Sequence, residues 1–233
     1  MKKKILVFEG IDGCGKTSVI NEMKRMLEEQ HSVKCEILNT PHMIGNIRDI
    51  LKTSNAEKYN ATAYKELLTD IMFVDKISSA MPGGLLYEKV MDSDTEVLLL
   101  DRFLYSFFVY NFYPDCIKNF LSKIRVVMEP IYVAADYYNI YLRLDSDVAT
   151  RMINERGEER EVTESNEQSD LVKHFDSLFD YEDFMPLYKK CYSHHSYNFG
   201  YTTDILYSQY QNNIRDTPSD IANNLLAYIF NYK

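Results

Sequence analysis

A strand, a glycine-rich turn and a helix follow one another at the start of the sequence, and this arrangement restricts the possible folds more than any other feature. Residues 4–8 (KILVF) form a short, continuous apolar run that ends before Gly10. Such a run is typical of a strand buried on both faces in a parallel sheet. Between Thr17 and Gln30 the apolar residues recur at helical spacing, with charged residues between them. A buried strand followed directly by a helix predicts an α/β fold.

The turn between this strand and this helix matches the pattern Gly-x-x-x-x-Gly-Lys-Ser/Thr in full, from Gly10 to Thr17. Glycines let backbone N–H groups point inward around a phosphate, and the start of the helix adds partial positive charge. Lys16 of this pattern neutralises transferring phosphates, and the Thr17 hydroxyl binds Mg2+. A turn that contains glycines by chance is disfavoured, because the pattern lies between a strand and a helix. We therefore predict a phosphate-binding loop.

Strands and helices alternate along the rest of the sequence. Apolar runs typical of strands lie at residues 33–38, 96–100, 139–144 and 205–207. Helical spacing predicts helices at residues 44–51, 61–80, 116–128, 147–156 and 171–192. We expect the helix at 116–128 to end at Pro130, and Thr217-Pro218 is a good start for a last helix. The alternation predicts a parallel sheet of about five strands with helices on both faces. No repeat or linker divides residues 1–233, so we expect a single domain.

The composition excludes several classes of partner. The chain has 26 lysine and arginine residues against 35 aspartate and glutamate residues, a formal net charge of −9. It therefore has no general positive field to attract nucleic acid or anionic lipid. No apolar run approaches the roughly 20 residues of a membrane span, and the first run is too short for a secretory signal. The four cysteines are scattered without a Cys-x-x-Cys pair, which indicates a reducing compartment. We expect a cytoplasmic protein with no nucleic-acid or membrane partner.

Asp101 and Arg102 directly follow the apolar run at residues 96–100. Both side chains should lie at the carboxyl edge of the sheet, where open α/β sheets bind their ligands. Asp101 is a candidate for holding water bound to Mg2+, and the planar guanidinium of Arg102 is a candidate for binding an oxyanion. The alternative is a salt bridge at the end of a strand.

A polar, largely acidic segment at residues 157–170 has no apolar periodicity and predicts a mobile surface loop. Arg151, Arg156 and Arg160 lie in or beside it. If a helix continues, Arg156 and Arg160 share one face and can stabilise charge on a transferred phosphoryl group. Equally, they can form ion pairs with the neighbouring glutamates, and the sequence leaves both interpretations open.

Three segments occur in the order and spacing of one known family. They are FEGIDGCGKTS at residues 8–18, DRFLYS at 101–106 and RGEER at 156–160, and together they resemble the thymidylate kinase family. The C-terminal segment IRDTPSDIANNLLAYI is similar to the family's closing strand and helix. The resemblance implies a three-layer P-loop kinase fold with a lid at about 154–170. It also implies ATP- and Mg2+-dependent phosphoryl transfer to a deoxynucleoside monophosphate, usually dTMP, by a homodimer.

The resemblance also assigns binding residues. The expected ATP-binding residues are Gly10, Asp12, Gly13, Cys14, Gly15, Lys16, Thr17 and Ser18. The expected metal ligands are Thr17 and, through water, Asp101. The expected acceptor-binding residues are Asp12, Pro41, Arg48, Met72, Phe73, Lys76, Arg102, Ser106 and Tyr110. Arg48 is included because the segment after Pro41 lacks an arginine that the family carries there.

A lid arginine is expected among the catalytic residues. One subclass of the family carries a catalytic arginine in the phosphate-binding loop, at the position that Gly13 occupies here. The resemblance therefore implies that the lid supplies this arginine. The expected catalytic residues are Asp12, Lys16, Arg102, and Arg156 or Arg160.

The part of the sequence expected to bind the base departs from the family pattern. The family has a helix segment Phe-x-x-Asp/Asn-Arg whose phenylalanine stacks on the base, and residues 72–76 here read MFVDK. Lys76 keeps the positive charge but lacks the bidentate guanidinium. Met72 replaces the stacking ring unless Phe73 takes its place. The phosphate-transfer segments match better than the base-binding segment.

Two other functions remain open. DRFLYS and RGEER also resemble segments of deoxynucleoside kinases, whose neutral hydroxyl acceptor requires a carboxylate base. Glu9, Asp75 and Asp101 are candidates for that base. FEGIDG favours the monophosphate kinase, because nucleoside kinases usually have Asn-Ile between the first glycines. The second alternative is a P-loop homologue that binds nucleotide without transferring a phosphoryl group.

Overall fold

The computed structural model of the chain describes residues 2–39, 61–110, 117–155, 165–179, 202–211 and 214–231. Its main strands are β1 (Lys3–Glu9), β2 (Cys35–Asn39), β3 (Val97–Asp101), β4 (Ala135–Arg143) and β5 (Thr202–Ser208). Within the described residues these five strands form one parallel sheet in the order β2-β3-β1-β4-β5. The predicted α/β fold with a parallel sheet of about five strands is confirmed.

Helices follow most of the strands. They are α1 (Lys16–His31), α2 (Ala61–Ala80), α3 (Leu85–Met91), α4 (Leu104–Tyr110), α5 (Ile117–Ala134), α6 (Ser146–Glu155), α7 (Ser165–Phe179) and α8 (Pro218–Phe230). A short antiparallel pair, β6 (Tyr210–Gln211) and β7 (Ile214–Arg215), precedes α8. None of the helices in these parts of the chain is both long and apolar enough to cross a membrane.

Strand β1 is central in the sheet, and its side chains divide between two cores. It pairs with β3 on one side and β4 on the other. Leu6 and Phe8 pack with residues of α1, α7 and α8, whereas Ile5 and Val7 pack with residues of α2, α3, α4 and α5. This division follows the two-residue period of a strand. Because both faces are covered, all four positions from Ile5 to Phe8 are apolar, and the predicted helices on both faces are confirmed.

Helix α5 does not end at Pro130, so that prediction was wrong. The helix continues through Pro130 to Ala134. Proline removes one helical hydrogen bond, but Met128 and Ile131 on either side of it are buried in the core. Their packing keeps the helix continuous.

The predicted surface loop at residues 157–170 was wrong in its last part, because α7 begins at Ser165. The buried face of α7 includes the polar residue Gln168 before Leu171 and Val172. Since a polar residue occupies an early buried position, the apolar periodicity starts late in the sequence. Of the predicted lid at about 154–170, residues 154–155 end α6 and residues 165–170 begin α7.

Some predicted elements lie elsewhere or outside the described residues. The predicted helix at 44–51, and the predicted helix end at Tyr192, lie outside them. Strand β4 begins at Ala135, earlier than the predicted start at Asn139. Helices α3 and α4 and the β6–β7 pair were not predicted, because such short elements carry too few residues to display a periodicity.

Helix α8 begins with a capping box, as the Thr217-Pro218 pair predicts. The Thr217 hydroxyl accepts a hydrogen bond from the Asp220 N–H at 3.2 Å, and the Asp220 carboxylate accepts one from the Thr217 N–H at 2.9 Å. Behind this cap, Ile221, Leu225 and Ile229 are buried in the core shared with α1. The cap therefore stabilises the helix that supports α1.

Replacement of Thr217 by alanine should lower the free energy of unfolding by about 1 kcal/mol, because the Asp220 N–H loses its acceptor. Urea unfolding followed by circular dichroism measures this change. Asn223→Ala, at an exposed position of the same helix, is the matched control and should change stability by less than about 0.5 kcal/mol. Equal stabilities of the two variants would contradict the role of the cap.

Candidate active site

The turn between β1 and α1 has a conformation that requires glycine. Gly10, Gly13 and Gly15 have φ angles of 141°, 80° and 88°, which L side chains rarely adopt. A Cβ atom on Gly10 would lie 3.0 Å from the carbonyl oxygen of Leu142, next to the sheet, and one on Gly13 would lie 2.8 Å from that of Ala149 in α6. The outer side of the turn therefore packs directly against backbone.

Lys16, the first residue of α1, is buried against this turn. Its Nζ donates hydrogen bonds to the carbonyl oxygens of Gly10, at 3.1 Å, and Ile11, at 2.8 Å. Burial lowers the pKa of Lys16, because an ammonium group is less stable away from water. A bound anion stabilises this charge, so the loop and the lysine suit a phosphate.

Thr17 lies beside the end of strand β3. Its hydroxyl donates a hydrogen bond of 2.9 Å to Asp101 Oδ2, and Asp101 is aligned with Phe8 of β1 in the sheet. Hydroxyl and carboxylate oxygens are the kind of ligands that Mg2+ binds, often together with water. These two residues therefore fit a Mg2+ ion beside the loop. In the described part of the chain, no group of three or more histidine, cysteine, aspartate or glutamate residues is arranged to hold a metal ion.

Arg102 follows β3 with a left-handed backbone, φ 69°, which is uncommon for residues other than glycine. Its N–H donates to the carbonyl oxygen of Phe8 at 3.0 Å, which fixes the turn at the end of the strand. Nη1 donates to the Gly10 carbonyl at 2.9 Å and to Ser106 Oγ at 3.2 Å. Nη2 donates to Asp12 Oδ1 at 2.6 Å. The guanidinium thus joins the loop to the segment after β3.

The positive charge of Arg102 is stabilised by its neighbours. Burial disfavours the guanidinium, but the interactions with Tyr110 and Asp12 outweigh it and raise the pKa of Arg102. The guanidinium carbon lies 4.8 Å from the centre of the Tyr110 ring, a cation–π contact. Burial also raises the pKa of Tyr110 to about 12, so this phenol is neutral at physiological pH.

Glu9, at the end of β1, is completely buried. Its carboxylate accepts hydrogen bonds from the N–H groups of Phe103 and Ser106, both at 3.0 Å, and from the Ser106 hydroxyl. It therefore fixes the segment that carries Arg102. Burial raises the pKa of Glu9, and the hydrogen bonds from Ser106 and Phe103 offset this only in part. The sequence predicts Glu9 only as a candidate base, because nothing local indicates which N–H groups it meets.

Three residues expected to bind the base belong to α2 and lie in or near the core. They are Met72, Phe73 and Lys76. Phe73 is buried and packs on Phe107, with ring centres 5.6 Å apart, whereas Met72 is half-buried. Lys76 and Asp75 are both buried, with Nζ of Lys76 3.9 Å from Oδ2 of Asp75. Phe73 thus contacts α4 in the core, and the sequence alone does not distinguish this packing from an exposed stacking position.

Most of the expected phosphate-site residues meet at the carboxyl edge of the sheet. The residues brought together there are Gly10, Asp12, Lys16, Thr17, Asp101, Arg102, Ser106 and Tyr110. Ser18 is exposed in the first turn of α1. The expected site residues that lie outside the described residues are Pro41, Arg48, Arg156 and Arg160.

Gln209 also contacts the loop, and the sequence does not predict this contact. It follows β5 and is fully buried, and its Nε2 donates to the carbonyl oxygen of Cys14 at 2.7 Å. The two residues are 195 positions apart, so no local pattern indicates the contact.

The site combines two features at one edge of the sheet. The glycine-rich loop with Lys16 and Thr17 lies at the carboxyl end of β1, and an Asp-Arg pair lies at the end of the neighbouring strand β3. This fold and this site define a P-loop nucleotide kinase.

Comparison with known proteins identifies the family within this class. The family model for thymidylate kinase matches residues 8–187, and the chain belongs to the thymidylate kinase family. A probable thymidylate kinase of Methanococcus maripaludis (strain C6) is 29% identical over 192 residues, which cover 79% of this chain and 83% of that protein. A thymidylate kinase of Thermoanaerobacter sp. (strain X514) is 31% identical over 134 residues, which cover 55% of this chain and 59% of that protein. The predicted family is confirmed, as is the enzyme class, a nucleoside monophosphate kinase with ATP as phosphoryl donor.

The buried carboxyl group of Glu9 should make stability fall as pH rises. Its pKa in the folded protein lies above the ordinary value of 4.5, so above pH 4.5 the folded state holds a proton that the unfolded state has released. Between these two pKa values the free energy of unfolding falls with pH, by at most about 1.4 kcal/mol per pH unit for one group. We expect the free energy of unfolding of Glu9→Gln to fall less steeply with pH, because glutamine has no titrating proton at this position.

Urea unfolding of both proteins at pH values from 4.5 to 7.5 tests this prediction. Glu88→Gln, which removes an exposed glutamate, controls for the loss of one negative charge. Parallel stability curves for the wild type and Glu9→Gln would contradict the predicted protonation.

Proposed function

We propose that the chain transfers the γ-phosphoryl group of ATP to dTMP, giving ADP and dTDP, with Mg2+ bound beside the phosphate-binding loop. One observation carries this proposal. Lys16 Nζ and Arg102 Nη1 both donate to the carbonyl oxygen of Gly10, at 3.1 Å and 2.9 Å. Two cations, one from the loop and one from the end of β3, thus converge on a single point. Such a pair of cations can stabilise the negative charge of a phosphoryl group as it passes from ATP to dTMP.

On the donor side, the loop N–H groups and Lys16 bind the β- and γ-phosphates of ATP. Phosphate oxygens replace the carbonyl oxygens of Gly10 and Ile11 as the partners of the Lys16 ammonium. The adjacent oxygens of Thr17 and Asp101, joined by their 2.9 Å hydrogen bond, hold Mg2+ directly or through water. When bound, Mg2+ neutralises charge on the phosphates.

On the acceptor side, Arg102 binds the phosphate of dTMP. Its guanidinium contacts Asp12 and Ser106, and a phosphate offers oxygens for the same planar set of donors. Asp12 then lies near the sugar and phosphate of the acceptor. Ser106 and Tyr110, which both contact Arg102, line the neighbouring nucleoside pocket.

This reaction requires no general base. A phosphate oxygen of dTMP is already anionic at neutral pH, so the protein contributes positioning and charge neutralisation. The three carboxylates considered for a nucleoside kinase have other partners, and Asp75 is buried with its Oδ2 3.9 Å from Nζ of Lys76. Glu9 accepts hydrogen bonds from Phe103 and Ser106, and Asp101 accepts one from Thr17. This supports a monophosphate acceptor over a nucleoside.

Several expected features stay predictions. The lid at about 154–170 is expected to supply Arg156 or Arg160 as the catalytic arginine. The base is expected to meet Pro41, Arg48, Met72, Phe73 and Lys76. A single domain is supported by α8, whose buried residues share one core with α1. The homodimer and the cytoplasmic location also stay predictions, and sedimentation velocity tests the first.

Release of ADP from ATP and Mg2+ by the purified chain tests the acceptor. We expect dTMP to stimulate release strongly, because its phosphate provides the anion that Arg102 binds. Thymidine should leave release at the level without acceptor, and removal of Mg2+ with EDTA should abolish it. Stimulation by thymidine would instead identify a deoxynucleoside kinase. ATP binding without stimulation by dTMP or thymidine would contradict the proposed reaction and favour a non-catalytic homologue.

Substitution of the two converging cations should separate their roles. Lys16→Ala should abolish turnover, since Lys16 contacts the transferring phosphates. Arg102→Ala should raise the KM for dTMP at least about tenfold, the effect of losing a charge-assisted hydrogen bond, and change the KM for ATP much less. Initial rates at varied dTMP and ATP measure both constants.

Arg25→Ala is the matched control for Arg102→Ala. Arg25 is on the exposed side of α1, where it pairs with Glu22 and Glu29, and its loss should leave both KM values unchanged. A normal KM for dTMP in Arg102→Ala would rule out the proposed contact with the acceptor phosphate.

A further inference from the structure

The backbone N–H and C=O groups of Gln209 are both hydrogen-bonded. Its N–H donates to the carbonyl oxygen of Arg143 at 3.3 Å, and its carbonyl accepts from the Asp216 N–H at 2.9 Å. The residue is thus fixed between the end of β4 and the residue after β7. Since the backbone is anchored on two sides, the direction of its side chain is set by the fold.

Tyr207 strengthens this anchorage from the end of β5. Its hydroxyl donates to Asp216 Oδ2 and accepts from Asn224 Nδ2 in α8, each at 2.7 Å. Asp216 in turn donates its N–H to the Gln209 carbonyl. The support of Gln209 therefore extends to α8, whose buried residues share a core with α1.

The side chain of Gln209 reaches the phosphate-binding loop. Nε2 donates to the carbonyl oxygen of Cys14 at 2.7 Å, and Gln209 is fully buried. In a planar trans peptide the C=O and N–H bonds point in opposite directions. The carbonyl of Cys14 points to Gln209, so the N–H of Gly15 points away from it. The N–H groups are the part of such a loop that binds phosphate.

The contact of Gln209 differs from the other polar contacts of the loop. Lys16 and Arg102 bind the carbonyl oxygen of Gly10 with groups that the proposed function assigns to phosphates, so ligands compete for them. The amide of Gln209 is neutral and has no such assignment. Its hydrogen bond to Cys14 can persist while ATP is bound.

We propose that Gln209 is a positioning residue for ATP. It holds the Cys14–Gly15 peptide in the orientation that directs the Gly15 N–H to the phosphates. This inference rests on the proposed use of the loop for ATP and adds a residue from the opposite end of the chain. Loss of the hydrogen bond leaves the Cys14 carbonyl without this donor in a buried position, so the orientation of the peptide is less constrained.

The test is direct binding of MgATP and of dTMP, each measured by isothermal titration calorimetry. Gln209→Met keeps the size of the side chain and removes the donor, so we expect the Kd for MgATP to rise about tenfold. Gln209→Glu replaces the donor with an acceptor that faces the Cys14 carbonyl, and should weaken MgATP binding further. The Kd for dTMP should stay within about twofold in both variants.

Asn223→Leu is the matched control. It removes an amide side chain at an exposed position of α8, outside the hydrogen bonds that connect Asn224, Tyr207, Asp216 and Gln209. We expect its Kd for MgATP to equal that of the wild type. Thermal unfolding of all variants separates stability from binding, and if Gln209→Met fails to fold, Gln209→Asn, which keeps a neutral amide on a side chain one carbon shorter, provides the comparison.

Two results would overturn the proposal in different ways. If the wild type binds MgATP and the Gln209 variants bind it equally tightly, the positioning role is wrong and the proposed function stands. Equal weakening of MgATP and dTMP binding, in proportion to lost stability, would also reduce Gln209 to a structural residue. If the wild type itself does not bind MgATP, the proposed function fails, and this inference fails with it.

Discussion

The carbonyl oxygen of Gly10 accepts hydrogen bonds from two cations, Lys16 and Arg102, and the rest of the site depends on this convergence. Lys16 starts α1 and Arg102 follows β3, so two separate elements must meet at the end of β1. The central position of β1 in the sheet makes this possible. Lys16 is buried and Arg102 is half-buried, so the two neighbouring cations repel one another, and a polyanion offsets that repulsion. The arrangement shows how a chain with a net charge of −9 can offer a place for an anion, because two cationic donors meet at one point beside the loop.

The loop is held mainly from its outer side, which leaves its inner N–H groups for a ligand. Gly10 packs against the backbone of Leu142, and Gly13 packs against that of Ala149 in α6. Gln209 holds the Cys14 carbonyl from the end of β5. The loop thus contacts β4, α6 and the segment after β5, all of which follow it by more than 100 positions in the sequence. Preorganisation of this kind lowers the cost of ordering donors when a phosphate binds.

The features that the sequence predicts correctly are those with a local cause. Ile5 to Phe8 form a continuous apolar run within the strand itself, which is enough to indicate cover on both faces, and the glycines of the loop are required by φ angles within the loop itself. The missed features depend on partners far along the chain. Packing of Met128 and Ile131 carries α5 through Pro130, and the buried Gln168 hides the start of α7. Likewise the contacts of Glu9 and Gln209 join positions more than 90 residues apart, so no window of sequence contains both partners.

The hydrogen-bond partners of Arg102 limit the kinds of acceptor molecule that the site can bind. In the structure its guanidinium bonds with Asp12, the Gly10 carbonyl and Ser106. A ligand that displaces these partners must return comparable hydrogen bonds to this half-buried cation, since a charge removed from water without partners is disfavoured. The phosphate of a monophosphate supplies anionic oxygens for this exchange, whereas the hydroxyl of a nucleoside is neutral and supplies much less. In the proposed reaction, Arg102 therefore selects an acceptor by its charge, independently of the contacts that recognise the base. This order of recognition is consistent with a chain whose phosphate-transfer segments follow the family pattern more closely than its base-binding segment does.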